Sequence, residues 1–218
     1  MPKIVCLSDT HNSNSQIDVP DGDILIHSGD ATITGTVEEI KRFNEWFSAL
    51  PHKHKIFVAG NHDWLFERNN ELARTLLNTK IIYLQDLACE IEGLKIYGSP
   101  WQPRFFDWAF NLMRGAELAE KWSLIPNDID ILITHGPPNG ILDAVEQSWG
   151  TDYTGCVELR KRVEKIARLG KLKLHVFGHI HRGYGVAEDF GVRFVNASNC
   201  DEAYKPVNPP VVVDLRAT

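Results

Sequence analysis

The sequence predicts a layered α/β domain with mixed β-sheets. Short runs rich in Ile, Val and Leu alternate with segments of helical character, and two hairpin-like pairs interrupt this alternation. Alternating strands and helices are typical of parallel pairing, whereas hairpins add antiparallel pairing to the same architecture. The chain of 218 residues shows no linker and no internal repeat, so we expect one domain over residues 1–218.

Five apolar runs, each ending at a Gly, Asp or His, are predicted to be strands. Their nearly continuous aliphatic composition indicates burial on both faces. The runs are KIVCLSD (3–9), DILIHSGD (23–30), KIFVAGNHD (55–63), DILITHG (130–136) and KLHVFGH (173–179). The segment PPVVVDL predicts one further strand near the end of the chain.

Helices and hairpins are predicted between these strands. The helical segments cover residues 37–49, 69–78, 115–123 and 156–169. The hairpins cover residues 87–99, with a turn near Glu92–Gly93, and residues 183–198, with a turn near Asp189–Gly191.

The charge of the chain restricts its partners. The formal net charge is −6, which disfavours the backbone of a long nucleic acid or an anionic membrane as the main partner. No apolar run approaches the roughly 20 residues that span a bilayer. A small anionic substrate remains compatible with this charge, because bound metal ions can reverse the local sign.

The four cysteines are scattered and form no CxxC motif. This spacing argues against a disulfide framework and against a zinc site built from cysteines. The first residues enter a predicted strand at once, so we expect no signal peptide. The sequence therefore predicts a soluble protein of the cytoplasm.

Metal-capable side chains follow all five predicted strands. They are Asp9 and His11, then Asp30, then Asn61, His62 and Asp63, then His135, and finally His179 and His181. Each group alone is ordinary loop polarity, but five such strand ends together are hard to obtain by chance. Open α/β sheets form their sites outside the carboxyl ends of strands, so these loops can converge. Imidazole and carboxylate ligands without thiolate suit Mn²⁺, Fe or Zn²⁺.

The ordered blocks SDTH, SGD, AGNHD, THG and FGHIH, which span residues 8–181, resemble the five-block signature of the calcineurin-like metallophosphoesterases. Further blocks resemble the branch of metallophosphoesterase-domain brain proteins and their microbial relatives. Examples are HSGD, FNEW, YGSPW, FNLMRG, KWSLIP, GCVEL, NAS and NPP. The resemblance implies a sandwich of two mixed β-sheets flanked by helices.

The resemblance also implies two divalent metal ions, with Mn²⁺ as the first choice and Fe or Zn²⁺ as alternatives. One ion would be held by Asp9, His11 and His181, and the other by Asn61, His135 and His179, with Asp30 between them. Some animal members of the branch carry glycine at the position of His179. Because this chain keeps the histidine, we expect both metal sites.

The chemistry that follows is hydrolysis of a phosphoric ester. Two ions about 3.5–4 Å apart can share a water, generate hydroxide at neutral pH and direct it at phosphorus. His62 would then serve the leaving oxygen as a catalytic residue, and Asp63 would hydrogen-bond to His62 and orient its ring. The alternative is that His62 only holds its loop.

The aromatic segment over residues 97–115 offers further substrate contacts. Trp101 could stack a nucleobase, and Arg104 is the cation best placed to meet a phosphate, in addition to Asn61 and His62. The alternative is that the aromatic side chains simply pack the loop.

The predicted function is that of a metal-dependent phosphodiesterase acting on small diesters such as 2′,3′-cyclic AMP. A phosphomonoesterase is the alternative among enzymes. Outside enzymes, the chain could be a nucleotide-binding regulatory module with weak catalysis or a scaffolding domain. A regulatory module should have lost a metal ligand or His62, and this chain has lost none. The oligomeric state stays open.

Overall fold

Two β-sheets lie face to face at the centre of the fold. The structure is a computed structural model that describes residues 2–215. The strands are β1 Lys3–Leu7, β2 Ile24–His27, β3 His54–Phe57, β4 Ile81–Tyr83, β5 Leu87–Ile91, β6 Leu94–Ser99, β7 Gln102–Pro103, β8 Asn111–Leu112, β9 Ile131–Thr134, β10 Ala144–Gln147, β11 Gly150–Tyr153, β12 Leu174–Phe177, β13 Gly185–Asp189, β14 Val192–Asn196 and β15 Val211–Asp214. The helices are α1 Val37–Ala49, α2 Trp64–Arg68, α3 Asn70–Thr75, α4 Ala116–Ser123 and α5 Val157–Ala167.

Both large sheets are mixed. The first has the order β15-β1-β2-β3-β4, in which only β15 is antiparallel to its neighbour among the described strands. The second has the order β13-β14-β12-β9-β6-β5, with a parallel centre and one antiparallel hairpin strand at each edge. The two predicted hairpins supply these edges, so the mixed pairing expected from the sequence is confirmed.

The interior between the sheets explains why the central strands lack polar alternation. Aliphatic side chains from β1, β2 and β3 meet those from β6, β9, β12 and β14 in one buried cluster, which includes Ile4, Ile26, Ile56, Ile96, Ile133 and Val176. The opposite faces are also covered. The first sheet packs on α1 and α2 through Phe57, Phe43 and Phe66, and the second packs on α4 and α5 through Phe177, Trp122 and Val163.

These layers confirm the predicted sandwich of two mixed sheets flanked by helices. Helix α1 begins at a capping box, in which the Thr36 hydroxyl accepts from Glu39 N and the Glu39 carboxylate accepts from Thr36 N. The predicted bounds of α1 are confirmed, and α4 differs by one residue. The segment predicted as one helix over 69–78 is shorter, and α2 precedes it as a separate short helix.

Several short strands were not predicted. Strand β4 has only three residues, and the pairs β7–β8 and β10–β11 lie in small sheets of their own. Strand β11 is fully exposed, so its sequence carries no alternation of apolar and polar side chains. All four cysteines are free, as expected. Among residues 2–215, no helix has the length and apolar character that crossing a membrane requires.

Candidate metal centre

The five predicted strand ends meet at one edge of the sandwich. The strands β1, β2 and β3 of the first sheet and β9 and β12 of the second run parallel within their sheets, so their carboxyl ends lie together. A bridge between Ser8 and Ser198 joins the sheets directly beside the site. All seven predicted metal ligands come together in this place, although more than a hundred residues separate the first of them from the last in the sequence.

The backbone is strained where it delivers several of these side chains. Asp9, His11, Asp30 and His179 have φ values of 52°, 41°, 54° and 69°, in the left-handed region that residues with a Cβ rarely adopt. Each such residue costs about 1–3 kcal/mol, and such strain concentrates at functional sites. After β1, β2 and β12 the chain thus turns sharply and directs a polar side chain toward the common centre.

One group of ligand atoms comprises Asp9, His11 and His181. His181 Nε2 lies 3.3 Å from Asp9 Oδ1 and 3.2 Å from His11 Nε2, and His11 Nε2 lies 3.9 Å from Asp9 Oδ1. The Ser198 hydroxyl donates to the second carboxylate oxygen of Asp9 at 2.8 Å. One carboxylate oxygen and two imidazole nitrogens therefore surround a common point, as a divalent cation requires.

A second group comprises Asp30, His135 and His179, with Asn61 beside it. His135 Nε2 lies 3.3 Å from Asp30 Oδ2 and 2.9 Å from Asn61 Oδ1. Asp30 Oδ2 also lies 3.8 Å from His11 Nε2, so this carboxylate faces both groups. Within each group the ligand atoms are all within 4.8 Å of one another.

Backbone carbonyls fix the orientation of the imidazole rings. The Nδ1 atoms of His11, His135 and His181 donate to the carbonyls of Thr32, Ser28 and Asp201, at 3.3, 3.0 and 2.8 Å respectively. Each Nε2 then points toward the centre. This arrangement is usual for metal-binding histidines, in which the other ring nitrogen donates to a carbonyl or carboxylate.

Two buried carboxylates attract positive charge to the site. Burial alone would raise the pKa of Asp9, but its hydrogen bond with His181 and the charge of that ring hold the pKa well below its usual value. Burial alone would lower the pKa of His181 and of His135, yet Asp9 and Asp30 respectively outweigh it and raise each pKa to about 9. Divalent cations would satisfy the same demand for positive charge.

Burial keeps the remaining two histidines of the ligand groups, His11 and His179, neutral. Burial lowers the pKa of His11 to about 4 and that of His179 to about 3. Neutral imidazole is the form that binds a metal ion. Together with the donor atoms and the oriented rings, this makes the site a fit for two divalent cations.

Two glycines allow the backbone to approach these ligands. A Cβ on Gly178 would lie 2.0 Å from Asp9 Oδ2 and 2.1 Å from Ser8 Oγ. A Cβ on Gly60 would lie 2.2 Å from Asp30 Oδ1. Gly178 therefore allows a close approach to Asp9, and Gly60 has the same role for the shared carboxylate.

His62 is oriented differently from the way the sequence suggested. Its Nδ1 donates to the Ile33 carbonyl at 2.7 Å, and its ring lies against Trp108 with centroids 4.1 Å apart. The Asp63 carboxylate accepts no hydrogen bond from the His62 ring. It accepts hydrogen bonds from the backbone of Gly60 and from the hydroxyl of Thr32, so its role is to join the loops that follow β2 and β3. The expected Asp63–His62 hydrogen bond was wrong, because a buried carboxylate takes the nearest unpaired N–H and O–H donors.

A cavity of about 870 Å³ opens above the ligands. Arg104, predicted to meet a phosphate, lines the cavity with an exposed side chain. Trp101 does not reach the cavity: its indole N–H donates to Asp86 at 2.7 Å, and its ring lies under Lys121. Ile180, between His179 and His181, is half-buried and also lines the cavity.

Sequence reasoning missed two aromatic residues of this site. Trp108, from the aromatic segment, and Tyr204, from the loop after β14, line the cavity and contact the His62 ring. Trp108 could not be distinguished from its aromatic neighbours by sequence. The block NAS at the end of β14 was the available signal for Tyr204, since it marks a sixth strand end at the same edge.

Fold and site together define a metallophosphoesterase. Residues 2–183 match the family model described as calcineurin-like phosphoesterase, and the chain belongs to that family. Metallophosphoesterase domain-containing protein 1 of Homo sapiens is 48% identical, over 98% of this chain and 71% of its own length. A UPF0046 protein of Caenorhabditis elegans is 39% identical, over 98% of this chain and 80% of its own. The family predicted from the sequence is confirmed.

Among solved structures, that of an archaeal phosphodiesterase aligns over 97% of this chain and 99% of its own, with a TM-score of 0.45 and 17% identity.

Proposed function

We propose that the protein is a metal-dependent phosphodiesterase that hydrolyses small diesters, cyclic nucleotides such as 2′,3′-cyclic AMP among them. The observation that carries this proposal is the pair of ligand groups that share Asp30 at the floor of an open cavity. Asp9, His11 and His181 would hold one ion, and Asn61, His135 and His179 the other. When bound, two such ions activate water and neutralise charge on the phosphoryl oxygens.

The position of His62 supports a contact with the substrate. Its backbone N–H donates to Asp30 Oδ1 at 2.8 Å, and its ring lies 4.7 Å from that of His11 between the ligands and the cavity. Because Nδ1 donates to the Ile33 carbonyl, Nε2 is the atom available to the substrate. Protonated at that atom, His62 would supply a proton to the leaving oxygen.

The lining of the cavity favours a diester over a monoester. Two of its arginines are already engaged: Arg114 donates to the Thr154 and Gly155 carbonyls, and Arg182 pairs with Glu202. A monoester dianion would call for more unpaired cations than this lining provides. The aromatic walls instead offer apolar surface to the second ester group of a diester.

The test is turnover of bis-p-nitrophenyl phosphate and of 2′,3′-cyclic AMP with Mn²⁺, before and after removal of metal by a chelator. We expect metal-dependent hydrolysis, and a loss of about 10²-fold or more in kcat in His62→Ala. His54→Ala is the matched control, since His54 lies at the opposite end of β3 and pairs with Glu92. Nucleotide binding without any metal-dependent turnover would refute the proposed enzymatic activity and favour a regulatory module. Preference for p-nitrophenyl phosphate would indicate a monoesterase.

We also propose a cytoplasmic location and a small phosphodiester or nucleotide as the partner, with no role for a membrane or a long nucleic acid. The four free thiols, three of them buried, suit a reducing compartment. The net charge of −6 disfavours polyanionic surfaces.

A further inference from the structure

Tyr204 adopts a backbone conformation that a bulky residue rarely takes. Its φ is 58°, in the left-handed region, although it is neither glycine nor asparagine. Such a conformation persists only where contacts with surrounding residues outweigh the residue's own backbone preference.

Asp201 supplies those contacts. Its carboxylate accepts from the backbone N–H groups of Ala203 and Lys205, both at 2.9 Å, and its carbonyl accepts from Tyr204 N at 2.9 Å. The same carbonyl accepts from His181 Nδ1 at 2.8 Å. The turn that orients a metal-binding histidine therefore also fixes the position of Tyr204.

The turn places the Tyr204 ring over the ligands. Its centroid lies 4.5 Å from that of His11, 5.8 Å from that of His62 and 6.0 Å from that of His181, and the side chain lines the cavity. The hydroxyl has no hydrogen-bond partner among residues 2–215. Tyr204, which is 41% exposed, thus presents a phenol O–H without a protein partner beside the candidate metal ligands.

We infer that Tyr204 is a further catalytic residue, whose hydroxyl donates a hydrogen bond to a non-bridging oxygen of the bound phosphoryl group. This role rests on the proposed function of the site. The oxygen gains charge as the ester is cleaved, and a donor that is already oriented stabilises that charge without reorganisation. His62 and Tyr204 would then contact the phosphoryl group from adjacent positions on the wall of the cavity.

Tyr184 gives a matched control from the same region. Its hydroxyl donates to the Pro209 carbonyl at 2.9 Å and therefore has a purely structural partner. Tyr204→Phe and Tyr184→Phe each delete one hydroxyl and keep the ring. Tyr204→Phe also keeps the packing on His11, so a role limited to packing would leave the variant unchanged.

The experiment measures the binding of inorganic phosphate to the Mn²⁺-loaded protein by calorimetry, and separately the turnover of bis-p-nitrophenyl phosphate. A hydrogen bond to a charged oxygen predicts that Tyr204→Phe raises the Kd for phosphate by about tenfold and lowers kcat by about tenfold or more. Tyr184→Phe should leave both within about twofold. Metal content and the unfolding midpoint are checked in both variants.

Equal phosphate affinity in Tyr204→Phe and the wild type would overturn the inference, whatever the turnover. A loss of affinity of the same size in Tyr184→Phe would also overturn it, because the effect would then come from the loop as a whole. If the wild type binds phosphate but hydrolyses no diester, the proposed function fails while the Tyr204 contact is still decided by the phosphate Kd.

Discussion

Replacement of Gly60 by alanine should disable the site through the shared carboxylate. The new Cβ would lie 2.2 Å from Asp30 Oδ1, 2.4 Å from Asp30 N and 2.7 Å from His135 Cε1. Contacts below 3.0 Å are essentially never seen for a Cβ, so Asp30 Oδ1 must move by about 0.8 Å. Two of the three atoms belong to Asp30 and one of these is backbone, so rotation of a side chain cannot relieve the overlap.

The magnitude follows from this displacement. A misplacement of about 1 Å at a reacting centre costs on the order of 10²-fold in rate. Overpacking in a close-packed region costs about 1–3 kcal/mol of unfolding free energy. We therefore expect Gly60→Ala to lose about two orders of magnitude in kcat for bis-p-nitrophenyl phosphate and to bind less than its full complement of Mn²⁺ after dialysis.

Gly136→Ala is the matched control, since Gly136 follows His135 directly. There the nearest atoms to an added Cβ are Gln102 Cβ at 3.7 Å and His179 Cδ2 at 4.0 Å, which are ordinary contacts. This variant should keep its activity within about twofold. The reasoning would be refuted if Gly60→Ala retained wild-type turnover and metal content, or if both variants lost activity equally.

Three further predictions concern single side chains. His179→Gly should bind one equivalent of Mn²⁺ instead of two and lose turnover. Its unfolding free energy without metal should stay within about 1 kcal/mol of the wild-type value, because glycine tolerates the φ of 69°. Retention of the second equivalent would contradict this prediction. Trp108→Ala should lower kcat without changing metal content, since His62 loses the ring whose centroid lies 4.1 Å away, and Trp108→Phe should restore most of the activity. An unchanged kcat in Trp108→Ala would count against this prediction. Burial would raise the pKa of Glu39, but hydrogen bonds, that from the Thr36 backbone foremost, lower it from 4.5 to about 2. Thermal unfolding should therefore show Glu39→Gln to be less stable than the wild type above pH 4.5, with the difference lost as the pH falls toward 2; a difference that persisted at pH 2 would disprove the assignment.

The sequence predicted those features that depend on local pattern. A run such as KIVCL is buried on both faces, so its end can be read from the first polar residues, and Asp9 follows at that point. The bounds of α1 were also predicted, and in the structure a capping box of Thr36 and Glu39 marks its first turn. The hairpin turn near Glu92 was marked by the glycine that follows it.

Only the folded chain decides which of several similar side chains reaches the site. Trp101 and Trp108 are equally aromatic in sequence, yet the first is bound to Asp86 and the second lies against His62. Asp63 follows His62 directly and still bonds to Gly60 and Thr32.

The five strand ends, and with them the candidate metal ligands, were determined by the sequence itself, because the alternation of buried strands and polar loops places each of them at the same edge of the fold. Tyr204, the partners of Asp63 and the contact between Trp108 and His62 were decided by tertiary structure. They depend on loop conformations, several of them at left-handed φ, that are fixed by contacts between segments distant in the chain. Local backbone propensity does not predict such contacts, because they form only after both sheets have packed together and brought the loops close.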